Sequence, residues 1–181
     1  MTGPVFVISG VPGAGKSSVA AALMGQFPRG IHIPVDTIRS WVVNGYADPT
    51  RPWNSETERQ FRLARENAAR MAADYSDAGF AATIDDVLWP RDVKDILVPF
   101  LGQRPIHRAF LHAPLDVINH RNSTRTNKNF DTAVLEDTIR MLHARVDLDP
   151  AGWPGWLLLD TSTLTLPETV NAILTYAANP L

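Results

Sequence analysis

The segment SGVPGAGKSS, from Ser9 to Ser18, begins at the end of the apolar run VFVIS near the start of the chain. Within it, Gly10 to Ser17 matches the pattern G-x-x-x-x-G-K-[ST], and a helical pattern follows from Lys16. A buried strand, a glycine-rich turn and a helix in that order predict an anion cradle, because backbone N–H groups and the positive end of the helix converge on the turn. The segment therefore predicts a nucleoside triphosphate site.

Each residue type in this turn has an expected role. Glycines let the backbone fold around phosphate oxygens, Lys16 reaches the β- and γ-phosphates as a catalytic residue, and the Ser17 hydroxyl is a ligand for Mg²⁺. The expected nucleotide-binding residues here are Gly10, Gly13, Ala14, Gly15, Lys16, Ser17 and Ser18. The alternative is a chance glycine-rich turn between a strand and a helix.

Composition excludes several classes of function. The 181 residues include 17 basic and 19 acidic side chains, a formal charge of −2, which argues against a general binder of nucleic acids or anionic membranes. The absence of cysteine excludes disulfides, thiolate catalysis and Cys-ligated zinc. No apolar run is long enough to span a membrane, and the N-terminus lacks a secretory signal pattern. We expect a cytoplasmic protein with a single domain over residues 1–181.

Strand and helix patterns alternate along the chain. Short apolar runs occupy residues 4–9, 30–35, 80–85, 106–112 and 156–160, and most of them lack polar alternation, as is typical of strands covered on both faces. Helical patterns occupy residues 16–27, 56–78, 92–101, 114–123, 132–146 and 167–178. Ser55 and Glu58 have capping-box spacing at the start of the longest helix. This alternation predicts an α/β fold built from βαβ units around a parallel sheet.

A second candidate site follows the second strand, in the segment IPVDTIRSWV. Asp36 and Arg39 would leave the carboxyl edge of the sheet, where open α/β folds bind ligands. An Asp at that edge can accept a proton from an attacking hydroxyl, and Arg39 shares its helical face. The alternative is a helix N-cap with a solvated arginine, which for Asp36 is compatible with facing a pocket.

With G-x-x-G-x-G-K-S at the turn and D-x-x-R after the second strand, the sequence resembles the small P-loop kinases. These include chloramphenicol phosphotransferase, gluconate and shikimate kinases and the kinase domain of polynucleotide kinases. The likeness extends to ATIDDVLWP, RNSTR and LLLDTSTLT, and so covers nearly the whole chain. It implies a three-layer P-loop NTPase fold with a five-stranded parallel sheet in the order 2-3-1-4-5 and a short lid. It also implies that Asp36 is the general base and that Arg39 contacts the acceptor.

Asp85 and Asp86 close the third strand, which neighbours the P-loop strand in that order. One carboxylate would hold a Mg²⁺-bound water and the other would orient the acceptor, because adjacent residues on an extended chain point in opposite directions. Asp86 is favoured for the acceptor and Asp85 is the metal candidate beside Ser17, although the metal assignment stays open. The alternative is a strand-end turn with solvated acids.

The polar segment NHRNSTRTNKNF, residues 119–130, is too polar for the core and would form the lid of such a kinase. Arg125 would stabilise charge on the transferred phosphoryl group as a catalytic residue, and Arg121 would stack on adenine or touch phosphate. A solvated basic loop is the alternative. Residues 160–165 would border the adenine or cap the last helix.

The acceptor region is expected over residues 36–78. Its irregular loop, residues 44–54, contains the ligand candidates Tyr46, Arg51 and Trp53, because aromatic rings stack on ligand rings and a guanidinium pairs with carboxylate or phosphate.

Other side chains of this region have plainer interpretations. Periodicity favours the core for Trp41, and a solvated helix face for most of Arg59, Arg62 and Arg65.

Three functions stay open on these residues. The first is a kinase that uses ATP and Mg²⁺ to phosphorylate a hydroxyl of a small molecule such as an antibiotic or a sugar. The second is a nucleotide or polynucleotide kinase, of which the polynucleotide form is disfavoured by the modest charge. The third is an ATP-binding resistance protein that sequesters a ligand without phosphorylating it, as in the tunicamycin-resistance proteins that the P-loop and basic segment also resemble.

Overall fold

Five parallel strands form the centre of the protein, whose residues 2–49, 52–123 and 135–179 are described by a computed structural model. The strands are β1 (Val5–Gly10), β2 (Gly30–Pro34), β3 (Ala81–Asp85), β4 (Ile106–His112) and β5 (Trp156–Asp160). They pair in the order β2-β3-β1-β4-β5, which confirms the order predicted from the sequence. Their carboxyl ends therefore meet at one edge, where β1 and β3 lie side by side.

Helices cover both faces of this sheet. In chain order they are α1 (Lys16–Met24), α2 (Val35–Ser40), α3 (Ser55–Asp77), α4 (Pro90–Asp92), α5 (Val98–Leu101), α6 (Leu115–Ser123), α7 (Glu136–Ala144) and α8 (Leu166–Ala178). Buried side chains of α1, α6, α7 and α8 pack on one face with Phe6 and Ile8 of β1. Those of α3 and α5 pack on the other face with Val5 and Val7. The alternation of inward side chains along β1 thus separates two cores and gives three layers.

The helix predicted over 92–101 is interrupted by a π-helical turn at Val93–Leu97, between α4 and α5. Pro99 has no N–H to donate to the carbonyl of Asp95, and its ring crowds that carbonyl. The Val98 N–H bonds instead to the carbonyl of Val93, five residues back. The wider turn accommodates the proline without ending the helical path.

The N-cap of α3 is Asn54, not Ser55 as the capping-box spacing predicted. The Asn54 side-chain oxygen accepts the backbone N–H groups of Glu56 and Thr57, each at 3.0 Å. Glu58 does not reach back to the cap, because its carboxylate accepts the indole N–H of Trp53 at 3.0 Å. The N-cap residue Asn54 thereby lies next to the irregular loop of the acceptor region.

Trp41 also departs from its predicted place in the core. The helix α2 ends at Ser40, so the apolar face that periodicity extends to Trp41 stops before it, and the side chain is 62% exposed. Over the described residues, no helix is both long enough and apolar enough to cross a membrane.

Candidate active site

The turn between β1 and α1 folds as a cradle that depends on glycine. Gly13 has φ +90°, and a Cβ there would lie 2.9 Å from the carbonyl oxygen of Ile118 in α6. Gly15 has φ +89° and caps α1, its carbonyl accepting the N–H of Val19 at 3.0 Å. A Cβ added to Gly15 would have no heavy atom within 4 Å. The backbone conformation excludes other residues, while the space beside it stays open for a ligand.

The remaining nucleotide candidates lie around this opening. Gly10 ends β1, and the buried Ala14 donates its backbone N–H to the carbonyl of Val11 at 3.1 Å. Lys16 is partly buried, and its Nζ donates to the same carbonyl at 3.2 Å. Ser17 and Ser18 lie in the first turn of α1. Their contacts with a nucleotide stay a prediction.

The strands β1 and β3 are joined at their carboxyl ends by Ser9. Its hydroxyl donates to the carbonyl of Leu88 at 2.7 Å and accepts the Leu88 N–H at 2.9 Å. Both residues are fully buried, so the two bonds are shielded from water. They hold the segment after β3, which carries Asp86, against the strand that leads into the cradle.

Asp85 and Asp86 contact different partners, as expected for neighbours on an extended chain. The Asp85 carboxylate lies 2.5 Å from Nε2 of His32 in β2. The Asp86 carboxylate accepts Nε–H of Arg65, from α3, at 2.6 Å. Asp85 thus stays the metal candidate, on the side of α1. Asp86 stays the candidate for contact with the acceptor, on the side of the acceptor region.

The solvated face predicted for most of Arg59, Arg62 and Arg65 holds for the first two, whose side chains are 65% and 59% exposed, and Arg65 is the exception. It is buried, and it also donates Nη2–H to the carbonyl of Val87 at 3.0 Å. Burial raises the pKa of the Asp86 carboxyl, Arg65 opposes this, and the charge of Asp36 raises it further. Burial lowers the pKa of Arg65, but the charge and the hydrogen bond of Asp86, together with the charges of Asp92 and Glu58, outweigh burial and raise the pKa overall. The sequence does contain an indication that Arg65 is buried, because Arg65 follows Phe61 by four residues and therefore borders the apolar stripe of the helix.

Replacing Arg65 with methionine is expected to lower the free energy of unfolding by about 3–5 kcal/mol near neutral pH, because it leaves the Asp86 carboxylate buried without its cation. The folded-state pKa of Asp86 already lies above its unfolded value, and loss of Arg65 raises it further. Stability contributed by this carboxyl is lost as pH rises through the folded pKa, so the deficit should be smaller at about pH 5 than at about pH 7.5. Urea unfolding of the variant and the parent protein at both pH values measures this loss in the free energy of unfolding.

The matched control is Arg62→Met on the same helix. Arg62 pairs with Glu66 at 3.0 Å, and its side chain is 59% exposed, so the change should cost less than about 0.5 kcal/mol. Equal destabilisation by the two substitutions would show that the Arg65 pair is not structurally important.

Asp36 and Arg39 occupy α2 with opposite exposure. Asp36 lies exposed in the first turn, close enough to Asp86 for its charge to affect the pKa of that carboxyl. Arg39 is only 2% exposed, and its Nη2 donates to the carbonyl of Ala47 at 2.6 Å. Its guanidinium carbon lies 3.7 Å from the ring centroid of Phe61. The structure therefore gives Arg39 a packing position beneath the loop, and its contact with an acceptor stays a prediction.

The loop that follows α2 is held to α3 by Gln60, which sequence reasoning missed. The Gln60 side chain accepts the backbone N–H of Ala47 at 2.9 Å and donates to the carbonyl of Gly45 at 2.7 Å. Tyr46 and Trp53 of the same loop are 44% and 55% exposed, and their contact with a ligand stays a prediction. A buried glutamine on a helix has no distinctive sequence pattern, so only the fold identifies this support.

Arg51 and Arg125, with most of the predicted lid, lie outside the described residues. Arg121 lies at the end of α6, where it donates to the hydroxyl of Thr161 at 3.0 Å and to the carbonyl of Thr161 at 2.7 Å. These bonds connect the start of the lid segment to the loop after β5, which is the position predicted for adenine.

The donor types at the cradle fit a magnesium nucleotide. A hydroxyl from Ser17 and a carboxylate from Asp85 are the hard oxygen ligands that Mg²⁺ prefers, and Mg²⁺ usually retains several waters. In the described part of the chain, no group of three or more His, Cys, Asp or Glu is arranged to hold a metal ion.

Known proteins resemble this chain in sequence family and in fold. The family described as AAA domain matches residues 5–148. No curated protein matches the sequence. A sugar kinase from a Janibacter species is 20% identical with a TM-score of 0.71, covering 97% of this chain and 95% of that one. A gluconokinase from Sinorhizobium meliloti is 20% identical with a TM-score of 0.68, covering 98% and 92%. The tunicamycin resistance protein of Deinococcus radiodurans is 16% identical with a TM-score of 0.61, covering 96% and 94%. At these identities the likeness concerns the fold.

Proposed function

The chain belongs to the AAA domain family, and from this membership and the site geometry we propose that it is an ATP-dependent kinase acting on a hydroxyl of a small molecule. The observation that carries the proposal is the pairing of two features at one sheet edge. A glycine cradle with Lys16 ends β1, and Asp86 follows the adjacent β3 with Asp36 nearby. This arrangement offers a phosphate site next to carboxylates suited to an attacking hydroxyl.

On the nucleotide side, the P-loop amides and Lys16 would hold the phosphates, and Ser17 and Asp85 would hold Mg²⁺. The metal, when bound, neutralises charge on the β- and γ-phosphate oxygens. His32 would keep the Asp85 carboxylate in one orientation through its contact at 2.5 Å. Arg121 would border the adenine from the end of α6.

On the acceptor side, Asp36 would accept the proton of the attacking hydroxyl as it bonds to the γ-phosphorus, and the bond from that phosphorus to the bridging oxygen of ADP would break. Asp86, fixed by Arg65, would accept a hydrogen bond from the acceptor and orient it. Arg125 would stabilise charge on the transferred group. Most of the rate enhancement would come from positioning and charge stabilisation.

The proposal is tested with the purified protein, Mg-ATP and pooled hydroxyl compounds that include sugars, antibiotics, nucleosides and nucleotides. We expect ADP release that depends on an acceptor, with a product heavier by one phosphoryl group in mass spectrometry. A reaction without acceptor measures background hydrolysis. ATP and ligand binding without phosphorylated product from any pool would overturn the kinase proposal and favour a sequestering protein, and preference for nucleotides would make it a nucleotide kinase.

A further inference from the structure

Ser9 occupies the place where the backbone pairing of β1 with β3 ends. The last paired residues are Ile8 and Asp85, and a further backbone bond, from the Asp86 N–H to the Ile8 carbonyl, is long at 3.4 Å. One residue further along β1, the Ser9 hydroxyl makes two shorter bonds to Leu88, at 2.7 Å and 2.9 Å. A side chain thus continues the connection between the two strands beyond the end of their backbone pairing.

A hydroxyl is an unusual side chain at this position of β1. Val5 and Val7 face the core on the α3 side, and strand alternation puts Ser9 on the same side, where Leu88 packs. Ser9 is fully buried, and a buried hydroxyl without partners costs free energy that a valine would not. Leu88 is also fully buried, so its N–H and its carbonyl need partners away from water, and the Ser9 hydroxyl supplies one to each. The serine therefore serves the segment after β3.

The segment after β3 is held from two sides. Arg65 binds the Asp86 carboxylate at 2.6 Å and the Val87 carbonyl at 3.0 Å, which fixes the segment to α3. Ser9 fixes Leu88 of the same segment to β1. Because β1 leads directly into the turn that forms the phosphate cradle, the bonds of Ser9 connect the position of Asp86 to that of the cradle.

The backbone at the end of β1 is anchored independently on its other side. Ser9 and Gly10 pair with Phe110 and Leu111 of β4. Loss of the Ser9 hydroxyl would therefore leave the approach to the cradle in place and would release the segment after β3 instead. This separation predicts that nucleotide binding survives when the connection to Asp86 is weakened.

We propose that Ser9 is a positioning residue for phosphoryl transfer, which acts through Leu88 to hold Asp86 at its distance from the phosphate cradle. The inference rests on the proposed kinase function, because that function gives Asp86 its role in orienting the acceptor. A misplacement of reacting groups by about 1 Å lowers a rate by about 10²-fold. Ser9 is fully buried and binds neither reactant in this proposal, so its effect is expected in kcat rather than in affinity.

Replacing Ser9 with alanine removes both bonds to Leu88 and is expected to lower kcat by about 10–10²-fold. KM for ATP and the affinity for a non-hydrolysable ATP analogue should stay within about threefold of the parent values. Ser9→Thr keeps the hydroxyl and should recover most of kcat, whereas Ser9→Cys, a weak donor and a weak acceptor, should give an intermediate rate. Steady-state kinetics and calorimetric titration measure these effects at a temperature at which every variant is folded.

Two other buried hydroxyls serve as matched controls. Ser76, near the end of α3, donates its hydroxyl to the Gly3 carbonyl at 2.7 Å, so it makes a bond of the same kind just before β1 begins. Thr83 in β3 is fully buried, and its hydroxyl has no hydrogen-bond partner in the described part of the chain. Ser76→Ala should lower stability without changing kcat, and Thr83→Val should lower neither.

The controls decide between a positioning role and a purely structural one. A kcat of Ser9→Ala equal to the parent value, or lowered only as much as in Ser76→Ala, overturns the inference. Loss of nucleotide affinity in step with kcat also overturns it, since the serine would then support the cradle itself. If Ser9→Ala does not fold, Ser9→Cys takes its place, and a parent-like rate in that variant overturns the inference.

Failure of the proposed function gives a different result. A parent protein that turns over, with a Ser9→Ala variant that is equally fast, keeps the kinase function and loses the inference. A parent protein that binds ATP and a ligand without forming product loses the kinase function, and ligand affinity then replaces kcat in the comparison. In that case unchanged ligand affinity in Ser9→Ala overturns the inference, and weakened ligand affinity with retained ATP affinity supports it.

Discussion

Replacing Lys16 with alanine is expected to lower kcat by about 10²–10³-fold, the effect of removing one preorganised donor to developing negative charge. The ammonium group donates to the Val11 carbonyl at 3.2 Å, and we expect it to turn from there to a phosphate oxygen. Affinity for a non-hydrolysable ATP analogue should also fall. Acceptor-dependent ADP release and calorimetric titration measure the two effects separately.

Lys94→Ala is the matched control, because Lys94 is an exposed lysine in the π-helical turn and has no predicted role in the site. It should change neither kcat nor nucleotide affinity. Thermal unfolding of the Lys16 variant should stay close to that of the parent protein, since the side chain is only partly buried. Full turnover and full nucleotide affinity in the Lys16 variant would remove the phosphate cradle from the mechanism.

Replacing Asp36 with asparagine is expected to lower kcat by about 10²–10⁴-fold, the usual contribution of a positioned general base. The amide keeps the shape of the side chain but cannot accept the proton of the attacking hydroxyl. Nucleotide affinity should be retained, because Asp36 follows β2, which is separated from β1 by β3. Steady-state kinetics with saturating Mg-ATP measure kcat, and titration with the ATP analogue measures nucleotide binding.

Asp95→Asn serves as the control for the loss of one exposed carboxylate. Asp95 pairs with Arg91 at 3.2 Å on the surface, so its replacement should leave kcat within a factor of two or so. A full rate in the Asp36 variant would contradict the general-base role, and Asp86 would then be the carboxylate to test next.

The fold and the phosphate cradle were predictable because their signals are local. The P-loop pattern specifies a turn conformation residue by residue, and Gly13 and Gly15 indeed have positive φ. Buried parallel strands appear as apolar runs, and the resemblance to small P-loop kinases supplied the strand order that the structure confirms. Opposite directions of Asp85 and Asp86 follow from the geometry of an extended chain.

The acceptor region was less predictable because its contacts join distant segments. Whether Arg65 is solvated depends on where the end of β3 lies relative to α3, and periodicity within one helix carries no such information. Trp41 is the opposite case, an apolar residue that was predicted to be buried and is exposed. It continues the helical spacing although the helix has ended. Asn54 and Ser55 are both good caps, and the extended conformation at Asn54 decides between them.

The two hydrogen bonds between Ser9 and Leu88 tie the end of β1, which leads into the P-loop, to the segment after β3. That segment carries Asp86, so the turn after β1 and the Asp86 carboxyl are held at a set spacing. The loop after α2 is attached elsewhere, through hydrogen bonds from Gln60 of α3 and Arg39 of α2. Substitutions in that loop that leave Gln60 and Arg39 in place therefore do not touch the hydrogen bonds that set this spacing.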